Sequence, residues 1–300
     1  DTVEWGSLFV GCAGGGETLV TLPFHTSTFG PEQYTIITVD GLMGGHSGIN
    51  IHEDRANAIK LLVRVLEPLM DTVPEVALVN FSGGDKHNAI PREAFATTPR
   101  PPARAVLLAA GEPPALKAAE AVIARVLAEL KMEYGTKETS LSVRLEFDGE
   151  SAGSRFGDDD ARRLLSLLSL LPHGVLKMSH DLEGLVETSS NLASVSRTVP
   201  DSETPGFSYD ILCSTRSSLS SSLEAVRRQI KTAGELSGAS DVTIRPPYPG
   251  WQPDLGSNAL KVARDSLRDL LEGQEPVIAA LHAGLECGVI GDKAPGMDTV

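Results

Sequence analysis

From Tyr34 onward the hydrophobic pattern switches between two periods in a fixed order, and that order limits the fold more than any single residue does. "YTIITVD" (34–40), "EVALVNF" (75–81), "ARAVLLAA" (103–110) and "SLSVRLEF" (140–147) are rich in β-branched and apolar residues at strand spacing. Between the first two, Ile59, Leu62, Val63, Leu66, Leu69 and Met70 line one face of a helix. Its start is predicted near Glu53, with Glu53 and Asp54 in a first turn where carboxylates suit the helix dipole. A second helix is predicted over 115–131. The resulting order, strand, helix, strand, strand, helix, strand, is that of a ferredoxin-like βαββαβ module spanning about 34–147.

A similar series follows. Helices are predicted at 158–171 and 219–236, with strands that include "YDILCST" (209–215) and "DVTIRP" (241–246). This reads as a second module, about 158–246, without a clear first strand and without residue-level repetition of the first. Asp158, Asp159 and Asp160 load the start of its first helix, which accounts for that acidic run. Pro246, Pro247, Pro249 and Gly250 then break the pattern and mark a domain edge. Beyond Trp251 a helix (256–272), a strand, "PVIAALH" (276–282), and a glycine-rich turn resemble an α/β domain. "SLFVG" (7–11) and "TLVTLP" (18–23) supply two more strands near the start.

Net charge is −14, from 40 acidic against 26 basic residues. No basic stripe with interleaved aromatics is present, which argues against a nucleic-acid partner. No apolar run is long enough to span a bilayer, so no membrane partner is expected. Cys12, Cys213 and Cys287 are odd in number and far apart, which fits free thiols in a reducing compartment, the cytoplasm. The chain opens on Asp1 and runs straight into a strand, as a segment of a longer protein would.

Five stretches carry candidate chemistry. In "DTVEWGSLFVGCAGGG" Asp1 precedes a strand, where a carboxylate can ligate a metal, although one acid makes no site. In "GGHSG" glycines on both sides let His46 stand clear of packing. The imidazole there either donates to a developing oxyanion or caps the following helix. In "SGGDKHNAIPREAF" the Asn88 amide can bind a carboxylate or carbonyl, or simply make a turn ahead of Pro91. In "STRSS" Arg216, at a strand end, can grip a carboxylate bidentately or form a surface ion pair. "HAGLECG" places His282, Glu286 and Cys287 after a strand, where α/β domains bind ligands. His282 with Cys287 is a candidate nucleophile pair or metal half-site lacking further ligands.

Together with "EGLVETSSNLASVS" and "YPGWQPD", and in their order along nearly the whole chain, the stretches other than "STRSS" resemble the peptidase D type of aminoacyl-histidine dipeptidase (Xaa-His dipeptidase). That family belongs to the zinc metallopeptidases that include aminoacylase and carboxypeptidase G. The resemblance implies an α/β catalytic domain, here partial, carrying two zinc ions in the full-length protein. An inserted α+β lid would be made of the two ferredoxin-like modules. It implies domain segments 1–17 and 248–300 for the catalytic part and 18–247 for the lid. It further implies that Asp1 ligates one zinc and that His46 stabilises the tetrahedral oxyanion. Asn88 and Arg216 would hold the substrate, with Arg216 on its C-terminal carboxylate, and Glu286 would meet its amino group. The substrate would be a dipeptide, including Xaa-His.

The pattern also departs from the family. An earlier His, a bridging Asp and a Glu-Glu pair ahead of Asp1, and a final His, have no counterpart among these 300 residues. The chain alone is therefore expected to be inactive. Two alternatives stand beside the dipeptidase: a catalytically inactive peptide-binding or assembly relative, and an N-acyl amino acid amidohydrolase. Relatives with a half-size lid dimerise through it. The doubled lid here either imitates that dimer in one chain or supports a homodimer.

Overall fold

The computed structural model describes residues 4–25, 27–73, 76–99, 114–198 and 206–300. In chain order the elements begin with strands β1 (Ser7–Cys12), β2 (Gly14–Phe24), β3 (Ser27–Asp40) and β4 (Gly45–His46), then helix α1 (Ala58–Thr72). Strands β5 (Asn80–Gly83), β6 (Ala89–Ile90) and β7 (Ala94–Pro99), helix α2 (Pro114–Tyr134), strand β8 (Ser142–Arg155) and helix α3 (Asp158–Leu170) follow. The remainder is β9 (Gly174–Met178), β10 (Val186–Thr198), β11 (Phe207–Ser217), α4 (Ser220–Leu236), β12 (Asp241–Ile244), α5 (Asn258–Leu270), β13 (Val277–Leu281) and α6 (Glu286–Lys293).

One large antiparallel sheet runs β12-β2-β11-β10-β5-β7-β3-β8, with β9 added beside β10. Each half follows the split βαββαβ plan, with its strands in the spatial order fourth, first, third, second. In one half these are β8, β3, β7 and β5; in the other they are β12, β2, β11 and β10. The first strand missing from the sequence reading of the second module is β2. The whole of the first module is inserted between β2 and α3, so adjacency along the chain could not reveal the pairing. The third strand of the first half is Ala94–Pro99; the stretch 103–110 that the sequence assigns lies outside the described residues.

The halves meet second strand to second strand, as two copies related by a twofold axis would, with Val195 opposite Gly83. Tyr209 on β11 strengthens the seam: its hydroxyl donates to Asn80 Oδ1 at 2.7 Å and accepts from the Phe81 N–H at 3.0 Å. A single apolar core joins Val20, Leu22, Ile37 and Ile211 of the sheet to residues of all four helices of the two halves. Helix α1 packs against both α2 and α3. This is why Leu61 and Val65 are buried along with the predicted stripe.

The start of α1 corrects the expectation of Glu53. Residues 51–53 form a separate 3-10 turn, and the Glu53 carboxylate is taken by Asn50 Nδ2 at 2.7 Å and by Arg55. The helix instead begins at Ala58 behind Asn57, whose Oδ1 accepts from the Ile59 and Lys60 N–H groups. Asn57 is 2% exposed, and its Nδ2 also donates to the Leu192 carbonyl of β10 at 2.9 Å. Asn57→Ala removes the cap and strands a buried carbonyl, so a loss of about 2 kcal/mol is expected. Urea unfolding measures it; a loss below about 0.5 kcal/mol would deny the cap its role.

The remaining elements form a small unit. Strand β1 pairs in parallel with β13, flanked by α5 and α6. It is joined to the sheet through bridges from Cys12 to Trp251 and from Gly15 to Tyr248.

Candidate active site

Strand β4 pairs with β6, setting His46 opposite Ala89, and the Ser47 N–H donates to the Asn88 carbonyl at 2.9 Å. His46 and Asn88 therefore sit side by side on two short antiparallel segments. The turn around His46 is stapled at several points. Asn50 Oδ1 accepts the His46 N–H at 2.9 Å, and Arg55 Nη1 donates to the Gly44 carbonyl at 2.6 Å.

The imidazole has one orientation available to it. His46 Nδ1 accepts from two backbone N–H groups, Gly48 at 3.1 Å and Ile49 at 3.0 Å. An Nδ1 that accepts cannot carry hydrogen, so the ring proton resides on Nε2, which faces away from the turn. Burial first, then the positive charge of Arg216 and the proximity of His87, hold the His46 pKa below its ordinary value. The ring is thus neutral at physiological pH and presents a single N–H donor.

Arg216 lies on β11, opposite Ser189 of β10 and Gly15 of β2. It is 7% exposed, and among the described residues no carboxylate lies within ion-pairing reach. Nη1 donates to the Tyr248 hydroxyl at 2.6 Å, and Nε has no partner among the described residues. A buried guanidinium without a counter-ion is costly, and it is stabilised by whatever anion it meets.

His282 follows β13 and is 6% exposed. Its Nε2 lies 2.7 Å from Ser189 Oγ. Burial, with Arg216 second, pushes its pKa down to about 3. Its hydrogen-bond partner is thus Ser189 of β10, and Cys12, Cys213 and Cys287 are free thiols. The His282 carbonyl also receives the His46 turn. A Cβ on Gly48 would fall 2.2 Å from that oxygen and 3.2 Å from Arg216 Cδ. Only glycine lets the turn close this far onto the end of β13.

Glu286 opens α6 and is exposed, with no side-chain hydrogen bond or ion pair among the described residues. It connects to the cluster through Gly284, which packs under the Tyr248 ring. Asp1 lies outside the described residues. Among the described residues no group of three or more His, Cys, Asp or Glu converges as metal ligands would.

His46, Asn88 and Arg216 thus come together, although they derive from different elements. Three neighbours were not singled out in the sequence: Tyr248, Ser189 and Asn191, whose Nδ2 donates to the Ala89 carbonyl at 2.7 Å. One signal was available. "ETSSN" (187–191) is a polar run in which every residue is at most 5% exposed. Buried polar groups need partners, so a polar run within a central strand calls for an explanation beyond core packing.

Known proteins match the chain along its whole length. Residues 37–134 match the family model described as a peptidase dimerisation domain. The chain is 34% identical over 302 residues to the cytosol non-specific dipeptidase of Escherichia coli (strain K12), using all of this chain and 58% of that protein. It superposes on the aminoacylhistidine dipeptidase from Vibrio alginolyticus with a TM-score of 0.86 and 32% identity, over 99% of this chain and 56% of that one. The chain therefore spans somewhat more than half the length of the relatives it matches. Along its whole length the chain is thus similar to dipeptidases of the M20 peptidase family, and residues 37–134 match that family's dimerisation domain.

Proposed function

We propose that the whole protein hydrolyses unblocked dipeptides, Xaa-His among them, in the cytoplasm. The observation that carries this reading is the buried Arg216, which has no carboxylate partner among the described residues, set against the neutral His46. One supplies a positive charge for a terminal carboxylate. The other supplies a neutral N–H donor for the carbonyl oxygen on which negative charge develops. Asn88 adds an amide beside His46, and exposed Glu286 offers a carboxylate to a free amine. Closure of the His46 turn against His282 removes water from this space and strengthens these hydrogen bonds.

The peptidases of this family are generally metal-dependent, and the reading keeps two zinc ions with Asp1 as a ligand. The described residues do not by themselves fit a metal centre. The roles above are accordingly those of side chains that bind, orient and donate protons.

The His46 turn rests on His282 of the same chain, which supports action within one polypeptide. The edge of β5, inside the matched dimerisation domain, is likewise covered by β10 of the same chain. A homodimer would use another surface of the lid.

The test is substrate choice by the whole protein. Dipeptides with a free carboxylate should be cleaved with kcat/KM about tenfold or more above their C-terminal amides, the scale of a charged hydrogen bond. Equal efficiency for the two would remove Arg216 from the proposed role. Preference for N-acylated amino acids over free dipeptides would favour the amidohydrolase alternative.

A further inference from the structure

The guanidinium of Arg216 has a companion. Tyr248 Oη accepts from Arg216 Nη1 at 2.6 Å. The phenol is held in place by backbone: Gly15 N–H donates to the Tyr248 carbonyl at 3.1 Å, and Tyr248 N–H donates to the Gly15 carbonyl at 2.9 Å. A Cβ on Gly15 would lie 2.4 Å from the phenol oxygen, and one on Gly284 would lie 3.1 Å from ring carbon Cε2. The ring is therefore wedged between β2 and the loop leading to Glu286, with its oxygen directly over the strand beside Arg216.

Because that oxygen accepts from Arg216, its own hydrogen points elsewhere. Among the described residues it has no acceptor. Burial pushes the phenol pKa up while Arg216 pulls it the other way, and the net shift keeps the proton in place near neutral pH. Arg216 Nε is closed off beneath Gly48, where a Cβ would lie 3.2 Å from it, so the groups left to meet a ligand are the Tyr248 O–H and the outer end of the guanidinium beside it. A carboxylate has two oxygens with about four lone-pair sites between them, enough for both donors, whereas a carboxamide offers one oxygen and presents two N–H groups of its own.

We propose that Tyr248 is a specificity-determining residue whose hydroxyl is the second donor to the substrate carboxylate bound by Arg216. The proposal rests on the dipeptide reading above and deepens it. It names a residue that discriminates a terminal carboxylate from an amide by direct contact.

The experiment compares Gly-His with its C-terminal amide, using the whole protein as wild type, Tyr248→Phe, Arg216→Met and the double variant. Phenylalanine keeps the wedged ring and removes only the hydroxyl. Tyr248→Phe should lower the carboxylate-over-amide ratio of kcat/KM about tenfold or more, mainly through KM. A comparable loss of discrimination should persist when Tyr248→Phe is added to Arg216→Met. Calorimetric binding of the two peptides to the metal-free protein should show the same ordering without turnover. An unchanged ratio in Tyr248→Phe, with Arg216→Met still discriminating poorly, would overturn the proposal and leave the Arg216 reading intact. An effect that vanishes in the Arg216→Met background would also overturn it, because Tyr248 would then act only by holding the guanidinium. If Arg216→Met itself leaves the ratio unchanged, the carboxylate site fails, and the proposal fails with it.

Discussion

His46→Ala in the whole protein is expected to lower kcat by roughly two to three orders of magnitude, the scale of losing one oxyanion donor, while KM changes little. The reason lies in the ring's fixed tautomer. Two backbone N–H groups occupy Nδ1, so Nε2 is the only donor, and it is already oriented before substrate arrives. His46→Gln places an amide N–H in a similar position and should recover part of the loss. The Asn50 and Arg55 staples engage only backbone atoms of the turn and survive the change, but the Gly48 and Ile49 N–H groups lose their Nδ1 acceptor, so a stability loss of about 1 kcal/mol is expected and urea unfolding separates it from the effect on kcat. A kcat decrease below fivefold would rule out the donor role. Mixing His46→Ala with Arg216→Met protein separates two geometries. No recovery on mixing is expected if each chain uses its own His46, as the contact between Gly48 and His282 indicates. Recovery towards wild-type rates would instead mean that the histidine comes from a partner.

Arg216→Met should raise KM for free dipeptides by about tenfold to a hundredfold and leave dipeptide amides much less affected. Methionine retains the length of the stem, so the change isolates charge and hydrogen bonding. The expected stability change is a gain or near neutrality. The wild-type guanidinium is 7% exposed, with no carboxylate partner among the described residues, and its removal relieves a desolvation cost. Weaker substrate binding together with undiminished stability is the signature of a group kept for its ligand. A large stability loss with proportional loss on both substrates would mark Arg216 as structural.

Local patterns were readable wherever a periodic face met a single neighbour. The helices over 114–134, 158–170, 220–236 and 258–270 fall within a few residues of their sequence assignments, because an amphipathic stripe is a local property. The start of α1 was misplaced by the acids Glu53 and Asp54. The preceding turn consumes the Glu53 carboxylate, and the cap is an asparagine whose importance depends on β10, 135 residues away. Strand β10 itself was not legible, since its polar run 187–191 lacks alternation. Those residues are all buried, so neither side of the strand there is a solvent face.

The candidate site divides in the same way. His46, Asn88 and Arg216 stand at glycine-rich turns or strand ends, where chain geometry leaves a side chain free, and the motifs flag them. Tyr248 and Ser189 lie within two of the quoted stretches, but nothing local picks out either residue; their roles arise from partners 32 and 93 residues distant.

The amino-acid sequence by itself determined most of the helices, part of the strand order from which two modules were read, the glycine turn that carries His46 and the set of polar groups available for chemistry. These follow from backbone freedom and side-chain periodicity acting over a few residues. Only the tertiary structure decided that β2 belongs to the second module, that His46 presents Nε2, and that Arg216 is buried beside Tyr248 with no counter-ion among the described residues. Each of these depends on which distant segment removes water from a polar group, and desolvation is a property of the assembled fold.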